Sequence, residues 1–313
     1  MGFPTLSKAA ITRVQGIIVV VILIIAVAAG AWFLAAPPTQ VPPTTTTPAG
    51  HPELKVAFVA PGSILDHGWV QEGYEGMLKA QEEFGITTAY TEQVLVTGTV
   101  ADYDRIIRDY ARRGFGLVIG HDVLSKDAVM SAAADYPDIW FAYDGVESRK
   151  NVVGYLTWGH EPSYLAGITA AKLTKTKTVG VYNGIPIDLE VCDYVGFKAG
   201  VASVDPSIKV LSAWLGVWHD PKKGHDAVVS MADAGADIVY GIGDGINIGG
   251  IQGAKEKGIK FIGGTGNQIP VDPDTVIASV TWGLTSAVYF VIKAYVEGTI
   301  EGRSYDFTLH TRI

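Results

Sequence analysis

The sequence predicts an α/β protein of two doubly wound parallel-sheet lobes joined by a hinge, preceded by one N-terminal transmembrane helix. Three observations carry this. Beyond residue 51, short β-rich runs alternate with amphipathic helical stretches, the pattern of βαβ units. The runs are continuous in Val, Ile and Leu rather than strictly alternating, as expected of strands covered on both faces. Ten of them occur, "LKVAFVAP", "GITTAYTEQ", "LVIGHD", "IWFAYDG", "VVGYLTW", "TVGVYNG", "KVLSAWL", "DIVYGIGD", "KFIGGT" and "VIASVTW". That is more than one open sheet of this kind normally holds.

In chain order, the first element is the apolar run "IIVVVILIIAVAAGAWFLAA", residues 17–36. Its 20 uncharged residues can cross a hydrocarbon core of about 30 Å. Lys8 and Arg13 precede it and no Lys or Arg follows before Lys55, so residues 1–16 are expected in the cytoplasm and the rest outside. The lead "KAAITRVQGIIVV" is similar to pilin-type signals that are cut before an apolar segment. A lipoprotein would need a cysteine just after that segment, and none stands there. Residues 37–51, beginning "PPTQVPPTTTTPAG", can bury nothing and read as a stiff stalk. Amphipathic stretches at 102–113, 126–136, 162–173, 221–234 and 248–257 supply helices between the strands. The chain changes lobe without an intervening helix near Thr157 and again near "VIASVTW". The expected lobes are therefore 52–157 plus 283–313, and 158–282.

Composition removes several function classes. A net charge of −8 with no Lys/Arg cluster gives nucleic acid little to bind. The single cysteine, Cys192, excludes an internal disulfide framework and a multi-cysteine metal site. Three His-Asp neighbours, His121-Asp122, His219-Asp220 and His225-Asp226, lack the spacing of a zinc hydrolase and read as structural. "GIGDGINIGG" is not an ordered dinucleotide fingerprint, and neither a nucleophile elbow nor a Walker sequence appears. No enzyme activity, cofactor or metal is predicted. A monomer that binds a small molecule is.

The stretch "DHGWVQEGYEGMLKA" opens a helix directly after the first strand. Asp66 can cap that helix, but capping does not explain Trp69. Aromatic or acidic residues recur at strand ends, where open parallel sheets bind ligands. Trp69 follows the first strand, Asp122 the third, Trp158 the fifth, Asp188 the sixth, Trp218 the seventh and Asp244 the eighth, while Trp282 ends the last. One such indole reads as core. Four at ends facing one cleft read as platforms for a flat heteroaromatic ring, with acids and amides meeting its edge. Stacking on an aromatic is worth roughly 1–3 kcal/mol per ring.

"YPDIWFAYDG", "NVVGYLTWGHEPSYLAGITAAKLTKTKTVGVYNG", "VGFKAGVASVDPSIKVLSAWLGVWHDPKKG" and "GADIVYGIGDG" follow that stretch in order, from about Lys55 to Gly298. In these pieces the chain resembles the basic membrane protein family, extracytoplasmic solute-binding proteins of ABC transporters with the type I periplasmic binding protein fold. The resemblance implies ABC permease subunits as partners. Where the nucleoside-binding branch has "DKSFNQ", this chain has "DHGWVQ": Asp66 is kept, Trp69 replaces a stacking Phe, and Val70 stands for an Asn that holds the ligand. "GVDSDQ" becomes "GGTGNQ", which puts Thr265 in place of a ribose-gripping carboxylate and Asn267 two positions on. "SVVK" becomes "SVTW", with Trp282 for a ribose-contacting Lys. The purine-binding branch is closer, which implies a purine base ahead of a nucleoside. A membrane-anchored ligand sensor or surface regulator with the same fold is the alternative. The sequence stops soon after "GTIEGRSYDF", where family members continue for some tens of residues.

Overall fold

The computed structural model describes residue 51 and residues 53–308. The predicted span at 17–36, the lead before it and nearly all of the stalk lie outside them. Among the described residues, no helix is long and apolar enough to cross a membrane.

All strands are parallel to their neighbours and fall into two sheets. The first contains β1 (Lys55–Val59), β2 (Thr87–Thr91), β3 (Leu117–Gly120), β4 (Trp140–Asp144), β5 (Val152–Thr157) and β11 (Ser304–Phe307), in the order β11-β5-β4-β3-β1-β2. The second contains β6 (Thr178–Asn183), β7 (Lys209–Trp214), β8 (Ile238–Gly241), β9 (Lys260–Gly263) and β10 (Val276–Ser279), in the order β10-β9-β8-β6-β7. The central strands β3 and β8 are buried at every residue, as their unbroken apolar runs require. The edge strands β2 and β7 are partly exposed.

Helices cover both faces of each sheet. On the first, α1 (Trp69–Phe84) and α9 (Leu284–Val296) enclose a core with Phe58, Tyr155 and Val288. On its other face, α3 (Asp102–Arg112) and α4 (Lys126–Asp135) enclose one with Tyr103, Ile107 and Phe141, and the single turn α2 (Val94–Thr97) closes its end. On the second sheet, α5 (His160–Leu173) and α6 (Asp188–Val204) pack over Phe197 and Tyr240, and α7 (Pro221–Asp233) and α8 (Gly245–Lys257) over Tyr182 and Phe261. A Cβ on Gly167 or Gly200 would collide with the carbonyl of Phe197 or Tyr164, so α5 and α6 meet backbone to backbone. That contact fixes the rotation of α6 and hence which of its side chains face the cleft.

The ten predicted strands are all present; β11 is an eleventh. It pairs Ser304–Phe307 with Gly154–Thr157 at the sheet edge. Only its last residue is buried, and so short an edge strand carries little apolar signal.

Candidate functional site

Because each sheet is parallel, its strands end along one edge, and the loops leaving those ends wall a cleft enclosing about 770 Å³ of space, part of it open to solvent. Both sheets contribute. Trp69, Asp122, Trp158, Trp218, Asp244, Thr265 and Trp282 all line it.

The opening stretch explains its own composition. Asp66 is buried and accepts hydrogen bonds from the N–H groups of Gly68 at 2.8 Å, Val70 at 3.1 Å and Gln71 at 3.1 Å. It caps α1 and sets the helix start so that Trp69, the first helical residue, lies at the cleft. Asp66 itself does not line the cavity. The ring of Trp69 stacks on His121, centroids 5.2 Å apart and planes 26° from parallel. His121 is fully buried: one ring nitrogen lies 3.0 Å from the Trp69 carbonyl and the other 2.7 Å from the Tyr155 hydroxyl. A carbonyl only accepts, so Nε2 carries the proton and Nδ1 accepts from tyrosine. Burial pulls the His121 pKa down to about 4, and the ring is a neutral support for Trp69. The expectation that His121 is structural matches this geometry.

Trp282 is buried and meets Trp69 edge to face, centroids 5.7 Å apart and planes at 87°. Of the four expected platforms, these two therefore do not stand apart; they touch each other and form one corner. Trp158 and Trp218 line the cavity separately. Trp158 packs edge to face on His160, and the Trp218 indole N–H donates to Glu190 Oε1 at 3.1 Å.

Besides Asp66, two more predicted site residues fall elsewhere. Asp188 is exposed at the first turn of α6, and Asn267 is exposed, its side chain accepting from the Ile269 N–H at 3.3 Å. Neither lines the cavity. In their place come Glu190 and Asp193, one helical turn apart on the cleft-facing side of α6. Asp144, at the end of β4, and His219, next to Trp218, complete the polar wall. The strand-end rule that selected Asp122 would have found Asp144, whereas Glu190 rather than Asp188 faces the cavity through the packing of α6 on α5, which local pattern does not show.

Five acids thus line the cavity: Asp122, Asp144, Glu190, Asp193 and Asp244. No Lys or Arg is among the described residues that line it. Asp122 accepts from the Tyr103 hydroxyl at 2.6 Å and the Leu124 N–H at 2.9 Å, yet burial still pushes its pKa up to about 6. Glu190 takes hydrogen bonds from Asn183, Trp218 and the Gly184 N–H, and burial pushes it up to about 7. Burial raises Asp144, Asp193 and Asp244 well above the usual carboxylate range, reinforced by the neighbouring acids. Asp144 Oδ1, Asp244 Oδ1, the Thr157 hydroxyl and His219 Nε2 are buried without a hydrogen-bond partner. A buried polar atom left unpaired costs about 1–3 kcal/mol, which concentrates unspent hydrogen-bonding capacity at one place. Thr265 adds backbone strain: this buried β-branched residue sits at φ 70°, a conformation that costs about 1–3 kcal/mol and clusters at functional sites. Among the described residues, no three His, Cys, Asp or Glu side chains converge as metal ligands.

Two sheet-based lobes with an acid- and indole-lined cavity between their strand ends give the architecture of a two-lobed solute-binding protein. The chain belongs to the Bmp family, described as ABC transporter substrate-binding protein PnrA-like, which it matches over residues 53–313. It is 30% identical over 260 residues to the transcriptional activator protein med of Bacillus subtilis, covering 83% of this chain and 80% of that one. It is also 30% identical over 260 residues to the purine-binding protein BAB2_0673 of Brucella abortus, covering 80% and 72%. Among solved structures, an ABC transporter solute-binding protein from Aeropyrum pernix superposes with a TM-score of 0.75 at 23% identity, covering 82% of this chain and 74% of that one. That last likeness speaks to the fold.

Proposed function

We propose that this protein captures a purine base, or a related flat heterocycle, in the cleft between its lobes (52–157 with 283–313, and 158–282) and delivers it to an ABC permease. Residues 17–36 would tether it as a single pass, with the lobes outside the cell. The observation that carries the reading is the cavity itself: four indoles and five acids gathered around one space from the strand ends and helices of both sheets. The name of the Brucella relative supports the purine part. In the cavity, Trp69 and Trp282 offer a corner of aromatic surface, Trp158 and Trp218 further platforms, and the acids with Thr265 the edge contacts. No positively charged side chain among the described lining residues is placed to grip phosphate, so nucleotides are disfavoured.

Calorimetry of the full chain in mild detergent against adenine, guanine, hypoxanthine, adenosine and inosine tests this. A base should bind at about micromolar affinity, near 8 kcal/mol. Nucleosides binding far more tightly than bases would refute the base preference. Trp69→Ala should weaken binding by roughly 1–3 kcal/mol, with Trp69→Phe recovering much of it and thus separating lost stacking from lost folding. The Bacillus subtilis relative, a transcriptional activator by name, favours a second reading in which the same cleft senses its ligand for regulation. Reconstituted uptake with a permease would decide between them.

A further inference from the structure

The cavity's chemistry narrows the solute beyond its flatness. Its acids come from both lobes: Asp122 after β3 and Asp144 at the end of β4 on one side, Glu190 and Asp193 on α6 and Asp244 before α8 on the other. A neutral base needs donors and acceptors in similar measure, whereas this wall, once its five acids ionise, offers far more acceptors than the donors left at Trp282 Nε1 and the Thr157 hydroxyl. Two of the unpaired atoms are carboxylate oxygens, Asp144 Oδ1 and Asp244 Oδ1, on side chains at 3% and 5% exposure. Four indoles share the wall with aliphatic side chains such as Leu156, Ile187 and Leu189, and indole faces attract cations. The carboxylates surround the space without converging as metal ligands, so an organic cation fits where a metal ion does not.

We propose that the solute is bound as an organic cation: a flat nitrogen heterocycle carrying positive charge, held by cation–π contact with the indoles and by charge-assisted hydrogen bonds to the carboxylates of Asp144, Asp193, Glu190 and Asp244. This rests on reading the cleft as the solute site and sharpens which flat ring occupies it. The ligand replaces the missing basic side chains. Without it, crowding and burial favour the protonated acids; with it, they ionise and release protons. No Lys or Arg among the described lining residues supplies that charge. The titratable groups around these carboxylates are Asp66 and Asp122, the phenols of Tyr155 and Tyr240, and the imidazoles of His160 and His219. Burial keeps Tyr155 and Tyr240 neutral, and lowers His219 to about 4.

Matched neutral and charged rings test this on the full chain in mild detergent: 9-methyladenine against 1,9-dimethyladeninium, and nicotinamide against 1-methylnicotinamide. In at least one pair the cation should bind about tenfold or more tighter. Its affinity should rise between about pH 6 and 8, by up to about tenfold per pH unit for each proton released. Calorimetry in buffers of different ionisation enthalpy counts those protons. Asp193→Asn with Glu190→Gln should erase the preference for charge. If 9-methyladenine binds as well as its cation with no pH dependence, the cation inference fails while the purine reading stands. If only 1-methylnicotinamide binds, the cation inference stands and the purine reading fails. No binding by either pair to a protein that still unfolds cooperatively overturns the cation inference.

Discussion

The carboxylates on the outside of this protein and those in its cleft obey the same chemistry with opposite results. Outside, Asp226 is held below the usual carboxylate range by Lys222, Asp272 by Lys255, and Asp205 is lowered to about 2, chiefly by Ser207 and then by Lys177. Inside, Asp122 and Glu190 rise to about 6 and 7, and Asp144, Asp193 and Asp244 are likewise raised well above the usual carboxylate range. The outer acids meet solvent and partners within their own lobe. The inner acids meet one another, and burial disfavours the charged form. A protein able to pair its surface acids so readily, yet leaving these five without a cation, is arranged for a ligand that brings the complement.

The largest expected effect comes from removing that arrangement. Asp193→Asn combined with Glu190→Gln should weaken a charged ligand by about 2–5 kcal/mol, the range for deleting one side of a buried charge pair. It should also stabilise the ligand-free protein at alkaline pH, because like charges crowded in a low dielectric are relieved. Opposite signs for binding and stability, read from calorimetry and thermal unfolding, distinguish a binding wall from a structural one. A structural wall would lose both.

Next comes pH. A cleft acid whose folded pKa is raised stays protonated while its unfolded counterpart ionises, so stability falls as pH climbs from the unfolded value near 4 through the folded one. Each such group takes away about 1.4 kcal/mol per pH unit across that window. His121 and His219, both lowered to about 4 by burial, act in the other direction. Their stabilisation is complete above about 6.5 and is lost as pH falls toward 4. The two sets oppose each other between about 4 and 6.5, and above 6.5 the carboxylates act alone. The ligand-free Tm should therefore fall between pH 6.5 and 8, and a bound cation should flatten the decline. The outer acids, with lowered pKa values, should matter only in acid, where stability is lost as pH falls through their folded values. A ligand-free Tm that keeps rising to pH 8 would contradict the assignment of the inner acids.

The positive φ of Thr265 offers a smaller test within the same wall. Thr265→Gly removes a left-handed β-branched residue and should gain about 1 kcal/mol of stability if the strain outweighs the greater freedom of glycine in the unfolded chain. Thr265→Val keeps the strain but loses the hydroxyl, which donates to the Gly264 carbonyl at 2.6 Å, and should be the less stable of the two. Ligand affinity measured on both variants separates the hydroxyl's contribution from the backbone's.

The difference between outer and inner acids also marks where sequence was informative. Continuous apolar runs exposed the parallel sheets, because strands buried on both faces have no polar side to interrupt them. Asp66 as a cap and Trp69 at a helix start followed from local rules, and structure places both so. The rule of strand ends brought Asp122, Trp158, Trp218 and Asp244 to one cavity. It failed at Asp188, because the sixth strand hands over to a helix through a loop, and beyond that point helical rotation decides the facing side. Glu190 and Asp193 are selected by the packing of α6 on α5, which no local pattern reveals. Nor could local pattern show that Trp69 and Trp282, separated by most of the chain, would press against each other instead of standing apart.

The smallest expected effect sits at the boundary between the two populations. Lys126 opens α4, four residues after Asp122, and its ammonium lies 2.8 Å from Glu147 with both side chains well exposed. Solvent and salt screen such a pair: at physiological ionic strength the Debye length is about 8 Å, and exposed ion pairs contribute little. Lys126→Ala should leave Tm and affinity unchanged at physiological salt. At low salt it should strengthen a cationic ligand slightly, since a positive charge has been removed and Glu147 left unpaired outside the cavity. A neutral ligand should not respond at either salt concentration. A change equally large for charged and neutral ligands would mean that Lys126 shapes the cleft by contact, and that the division between outer and inner acids does not extend to this edge.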